Sequence, residues 1–176
     1  MISLSERKKR ALAKAKRIKL FLLDVDGVLT DGSLLYGADG SEFKVFNIHD
    51  GYGIHQMIQA GIRVGIISGA KSEIVRRRAA ELGIVDVYEE FLDKLKPYEK
   101  LKSTYGYSDE EVAYMGDELF DIPLLKAVGF SAAPANARAE VKSVVDFVTR
   151  ARGGDGAVRE VIDFILHAQG KGYKGS

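Results

Sequence analysis

One short segment constrains this chain more than any other. Ile18-Lys19-Leu20-Phe21-Leu22-Leu23 is apolar at every position but Lys19 and stops abruptly on Asp24. An apolar run this short, with no polar alternation, reads as a strand buried on both faces, as in the middle of a parallel sheet. The segments after it agree. Residues 34–37 and 43–46 flank Asp39-Gly40, the signature of a β-hairpin. From there helix and strand alternate: helix 53–60 ending at Gly61, strand 63–67, helix 72–82 closed by Gly83, strand 85–88, helix 97–105 with Pro97 in its first turn. Strand 112–115, helix 122–128, strand 130–132, helix 136–144, strand 146–148 and a last helix 156–168 complete the series. Such alternation predicts an α/β, Rossmann-like domain with a mainly parallel central sheet flanked by helices and a β-hairpin insertion.

That domain spans 18–169. Before it, 1–17 form a basic helix whose start is marked by the capping-box spacing of Ser3-Leu4-Ser5-Glu6. After it, 170–176 read as a flexible tail. Residues 1–19 hold eight Lys/Arg against Glu6 alone, so a net +7 there leaves −6 on the rest of a chain whose total is +1. The arm is poor in the aromatics a base-stacking platform needs, so it reads as a solvated helix, with neither nucleic acid nor membrane expected as a partner. The chain has no cysteine, which excludes disulfides, zinc-thiolate centres and a cysteine nucleophile and suits a reducing compartment. Segment 18–23 is too short for a signal-peptide core, and no run approaches membrane-spanning length, so a cytoplasmic location is expected.

In open parallel sheets, ligands gather at the carboxyl ends of the strands. Those ends deliver Asp24-Val25-Asp26-Gly27, Ser68-Gly69, Lys94 with Lys96 nearby, and Gly116-Asp117-Glu118 with Asp121 behind. Crowded carboxylates cannot all stay ionised without a cation, and an oxygen-ligand ion, magnesium above all, answers that need. Phosphoryl transfer uses the same kit. Asp24 can attack phosphorus, Asp26 can protonate the departing alcohol and then activate water, and Ser68 and Lys94 can hold the phosphate oxygens. Magnesium would bridge Asp24, Asp117 and the substrate. Lys96 competes with Lys94 for the phosphate. Gly153-Gly154-Asp155-Gly156 has the look of a phosphate cradle but reads better as a flexible link into the last helix.

The run Leu22-Leu23-Asp24-Val25-Asp26-Gly27-Val28-Leu29-Thr30-Asp31-Gly32 resembles the first motif of haloacid-dehalogenase-type phosphatases. Ser68, Lys94 and Gly116-Asp117 with Asp121 resemble the second, third and fourth. More narrowly, Phe46-Asn47-Ile48-His49-Asp50-Gly51-Tyr52-Gly53-Ile54 and Gly153-Gly154-Asp155-Gly156-Ala157-Val158-Arg159-Glu160 resemble the 3-deoxy-D-manno-octulosonate 8-phosphate phosphatases, over residues 18–171. That resemblance implies no large cap domain, a homotetramer built on hairpins like 34–46, and active sites closed by neighbouring subunits and their tails. It implies metal ligands at Asp24, the backbone carbonyl of Asp26, and Asp117. Substrate contacts would fall on Asp26, Asn47, Ile48, His49, Asp50, Gly51, His55, Ala70, Arg78 and Lys94. It implies magnesium-dependent hydrolysis of a phosphorylated 3-deoxy-sugar acid, foremost 3-deoxy-D-manno-octulosonate 8-phosphate, in lipopolysaccharide biosynthesis. The family carries arginines at the positions of His49, His55 and Ala70, and Asp is commoner at the position of Glu118. A nonulosonate 9-phosphate or another sugar acid phosphate therefore stands as the alternative substrate, and a non-catalytic tetramerisation domain as the alternative function.

Overall fold

The computed structural model describes residues 4–172. The proposed cap at Ser3 and most of the proposed tail, 173–176, lie outside the described residues. The chain runs α1 (Leu4–Ala15), β1 (Leu20–Leu23), a hairpin of β2 (Leu35–Tyr36) and β3 (Glu42–Phe43), α2 (Ile48–Gln59), β4 (Arg63–Ile67) and α3 (Glu73–Leu82). It continues through β5 (Asp86–Tyr88), α4 (Leu95–Tyr105), β6 (Val112–Met115), α5 (Ile122–Ala127), β7 (Phe130–Ala133), α6 (Ala139–Val144), β8 (Phe147–Val148) and α7 (Ala157–Ala168).

Six strands form one sheet in the order β5-β4-β1-β6-β7-β8, every neighbouring pair parallel. Strand β1 lies between β4 and β6, and all four of its residues are buried. Because side chains alternate across a strand, Leu20 and Leu22 pack on one face with Tyr98 of α4, Leu124 of α5 and Val141 of α6. Phe21 and Leu23 pack on the other with Ile54 of α2, Val75 of α3 and Ile165 of α7. Each such fully buried side chain contributes roughly 1.5–3 kcal/mol. Helix α1 is not a free arm, since Ala11 and Ala15 join that second layer while its lysines and arginines face out. Among the described residues the hairpin is the only strand-forming insertion in the layered core, and no helix is long and apolar enough to cross a membrane.

Several boundaries differ from the sequence pattern. Helix α2 starts at Ile48 rather than at 53, because Asn47 Oδ1 accepts from the N–H groups of His49 and Asp50. Gly51 and Gly53, which look like helix breakers, instead admit close neighbours. A Cβ on Gly51 would lie 2.4 Å from Nη2 of Arg78, and one on Gly53 2.8 Å from Cδ of Arg159. Helix α6 starts at Ala139, three residues late, because Asn136 is engaged elsewhere. Its Oδ1 accepts from Gly153 N at 2.6 Å, and its Nδ2 donates to Gly27 O at 3.2 Å. The segment Gly153-Gly154 is neither a phosphate cradle nor a loose link. Gly154 N donates to Val28 O, and a Cβ on Gly153 would sit 1.8 Å from Gly27 O, so the two glycines brace the loop after β1.

Candidate active site

Strand β1 hands Asp24 to the carboxyl edge of the sheet, where its N–H still donates to Met115 O on the neighbouring β6. The chain then turns tightly. Val25 O accepts from Val28, Leu29 and Thr30, and Gly27 takes φ +85°, a left-handed conformation that suits glycine. A side chain at 27 would also strike Asp117, whose Oδ2 lies 2.0 Å from where its Cβ would be. The turn aims Asp24 inward. Its Oδ1 accepts from Val25 N, and its Oδ2 lies 2.8 Å from Lys94 Nζ.

Lys94 precedes α4 and is 1% exposed. An ammonium has three donors, and three acceptors surround this one: Asp24 Oδ2 at 2.8 Å, Asp121 Oδ1 at 2.7 Å and the Tyr114 hydroxyl at 2.8 Å. Tyr114, on β6, donates to Asp121 Oδ1 at 2.6 Å. Asp121 Oδ2 accepts from the N–H groups of Asp117 and Glu118, each at 3.0 Å. Asp121 is thus saturated and holds the loop after β6. Glu118 turns its own carboxylate to Leu119 N. Lys96, the competing lysine, is exposed and lies 3.6 Å from Asp93.

Asp24, Asp117 and Asp121 each offer a carboxylate oxygen within 4.8 Å of the others. Burial, opposed by Lys94, pushes the Asp24 carboxyl up to about 6. Burial and the charge of Asp24 push Asp117 up to about 7. Asp117 Oδ1 is buried and has no hydrogen-bond partner among the described residues. Two crowded carboxylates, one with an orphaned oxygen, fit a hard divalent cation. Asp121, whose oxygens are already taken, fits it less well than Asp24 and Asp117.

The same cleft is lined by Asp26, Ser68, Ala70, Leu92 and Phe120. Ser68 is buried, and its Oγ accepts from Ala70 N at 3.2 Å. Asp26 Oδ1 meets Lys44 Nζ at 2.6 Å and Thr30 Oγ1 at 3.4 Å. Sequence reasoning missed Lys44, Thr30 and Tyr114. Lys44 gave no local signal: its neighbours Phe43 and Val45 are the apolar ones, so alternation reads Lys44 as the outward position, whereas in the structure it is half-buried and they are exposed.

The remaining candidate contacts lie outside the cleft within one chain. Asn47 caps α2, and Ile48 and His49 are exposed on its first turn. Asp50 is buried and accepts from Arg159 N at 2.7 Å, closing the start of α7. Gly51 packs against Arg78, which also lies over the Phe46 ring and pairs with Glu81. His55 lines a separate groove with Gln59, Arg159 and Lys171.

A parallel sheet with a buried aspartate after its middle strand, a lysine bridging that aspartate to a second, and a third at the next strand end defines a class. It is the haloacid dehalogenase-like hydrolases, whose family model matches residues 70–162. The chain is 46% identical over 160 residues to the 3-deoxy-D-manno-octulosonate 8-phosphate phosphatase of Escherichia coli K12, covering 91% of this chain and 85% of that one. The crystal structure of the Yersinia pestis phosphatase of the same name superposes with a TM-score of 0.91 at 44% identity, covering 92% of this chain and 88% of that one. That of the Moraxella catarrhalis phosphatase, in complex with magnesium ion, phosphate ion and KDO, gives 0.90 at 41% identity, with 92% and 93% covered. The chain belongs to the 3-deoxy-D-manno-octulosonate 8-phosphate phosphatase family.

Proposed function

We propose that this chain is a magnesium-dependent phosphomonoesterase acting on a phosphorylated 3-deoxy-sugar acid, foremost 3-deoxy-D-manno-octulosonate 8-phosphate. The observation that carries the reading is the buried Lys94 bridge between Asp24 and Asp121, set beside Asp26 and Asp117 in one cleft. The Moraxella relative's bound magnesium, phosphate and KDO support the metal and the substrate class.

In the first half-reaction an Asp24 oxygen forms a bond to phosphorus as the bond from phosphorus to the sugar oxygen breaks. Asp26 gives its proton to that oxygen, and the sugar acid leaves as an alcohol. In the second, Asp26 takes a proton from water, whose oxygen bonds to the phosphorus of phospho-Asp24 as the bond from phosphorus to the Asp24 oxygen breaks, and phosphate departs. Lys94 and Ser68 hold the phosphoryl oxygens. Magnesium, held by Asp24, Asp117 and the Asp26 carbonyl, supplies positive charge that offsets the carboxylates and the phosphoryl group.

The chain assembles as a homotetramer in the cytoplasm, in the making of lipopolysaccharide. Assembly is supported by the exposed apolar residues on and beside the hairpin: Leu34, Leu35, Tyr36, Phe43, Val45 and Ile48. Neighbouring copies would bring the outlying contacts Asn47–Gly51, His55 and Arg78 toward each cleft.

The test is phosphate release with magnesium from 3-deoxy-D-manno-octulosonate 8-phosphate and from a nonulosonate 9-phosphate. Release from the first that Asp24→Asn abolishes supports the reading. Preference for the second moves the substrate, a choice that Ala70 leaves open by putting no cation in the cleft. Equal turnover by Asp24→Asn ends the mechanism. Inactivity toward every phosphate ester favours a purely structural tetramerisation domain.

A further inference from the structure

Lys44 has no part in the reaction as described, yet it is held beside it. Its side chain is only 3% exposed. A lysine is seldom covered to that degree unless paired, and this one reaches Asp26 Oδ1 at 2.6 Å and Glu42 Oε1 at 3.3 Å. Glu42 belongs to the hairpin and Asp26 to the loop after β1, so one ammonium ties the insertion to the catalytic turn. Thr30 Oγ1 approaches the same Asp26 oxygen at 3.4 Å, and itself accepts from Gly32 N. Two donors from different directions thus converge on Oδ1.

We propose that Lys44 is a positioning residue for Asp26, fixing the rotation of its carboxyl through Oδ1 so that Oδ2 faces the ester oxygen in the cleft. A carboxyl anchored through one oxygen cannot swing about its terminal bond, and proton transfer demands that the other oxygen lie within hydrogen-bond reach of the leaving group. Without Lys44, Thr30 is the one donor left to the carboxyl among the described residues, at the longer of the two distances. The inference rests on the phosphatase reading above, in which Asp26 delivers the proton.

The chemistry offers a readout that a merely structural role would not move. A sugar alkoxide needs a proton as it leaves, whereas p-nitrophenolate leaves without one. The experiment measures kcat/KM, which covers the steps up to phosphoryl transfer, for 3-deoxy-D-manno-octulosonate 8-phosphate and for p-nitrophenyl phosphate, in wild type and Lys44→Met. Both rates come from one sample, so any loss of folded protein cancels in their ratio. Lys44→Met is expected to lower the alkyl ester's kcat/KM at least about tenfold more than the aryl ester's, a part of the 10²–10⁴ that general acid catalysis typically contributes. Equal losses on the two esters, or none, overturn the inference and leave the phosphatase reading standing. A wild type inactive on both esters overturns that reading and this inference with it.

Discussion

The Lys94 ammonium lies 2.8 Å from Oδ2 of Asp24, and both side chains are shut away from water. Neither charge would be tolerable alone. Lys94 also neutralises Asp121 at 2.7 Å, so one cation serves two buried carboxylates. Lys94→Met would leave both uncompensated, and removing one partner of a buried ion pair costs roughly 3–5 kcal/mol. Chemical denaturation should show a loss of that order, and phosphate release should disappear. Lys94→Arg should restore little, because a planar guanidinium cannot reproduce three converging bonds made by a compact ammonium.

Asp117 gives the metal a signature in stability. Its carboxyl is raised from 3.8 to about 7, chiefly by burial and next by Asp24. The folded chain therefore holds the proton more tightly than the unfolded one. Its contribution to stability is fully present below about 3.8 and is lost as pH rises through about 7. Thermal melts of metal-free protein should fall across that window. In Asp117→Asn the same fall should be smaller. Magnesium should restore wild type most at the upper end of the window, where the carboxylate is ionised, and should do little for Asp117→Asn.

The parts of this site that each sit at or just after a strand end were legible in the sequence. The run 18–23 ending at Asp24 announced the middle strand, and the order Asp24, Ser68, Lys94, Asp117 followed from strand ends alone. Lys44 was not legible as a partner of Asp26, because the pairing exists only once the hairpin folds back over the turn. Tyr114 was hidden for a different reason. In a strand buried on both faces, a tyrosine reads as core, and nothing local tells that its hydroxyl meets Lys94. The start of α2 at Ile48 rather than 53 was not legible, because it rests on the Asn47 cap and on Gly51 and Gly53 sitting inside the helix, where they let Arg78 and Arg159 approach.

Gly153 carries a steric prediction about a residue that touches neither metal nor substrate. A methyl group there would lie 1.8 Å from Gly27 O and 2.9 Å from Thr30 O, both backbone atoms that cannot swing aside. Gly153→Ala must push the turn that holds Asp26. Overpacking of this kind typically costs about 1–3 kcal/mol, and calorimetry should report it. Because a misplacement of about 1 Å in a catalytic group can cost on the order of 100-fold, phosphate release should fall by at least tenfold. Wild-type melting and wild-type turnover together would show that the brace is dispensable.

Asp50 has a structural duty that two substitutions can isolate. Its Oδ1 accepts from Arg159 N, the third residue of α7, so a side chain from α2 caps a different helix. Its Oδ2 is buried with no hydrogen-bond partner among the described residues, and burial raises the carboxyl above its usual range. Two substitutions should therefore diverge. Asp50→Ala removes the acceptor and should cost about 1–2 kcal/mol, as loss of a helix cap does. Asp50→Asn keeps an acceptor and removes a poorly solvated charge, so at neutral pH it should melt close to wild type. The sign follows from the raised carboxyl, whose stabilising proton is lost as pH rises through its folded value. Wild type should therefore gain on Asp50→Asn as pH falls toward 4. If the two variants melt alike at pH 7, the α7 cap is not what Asp50 provides.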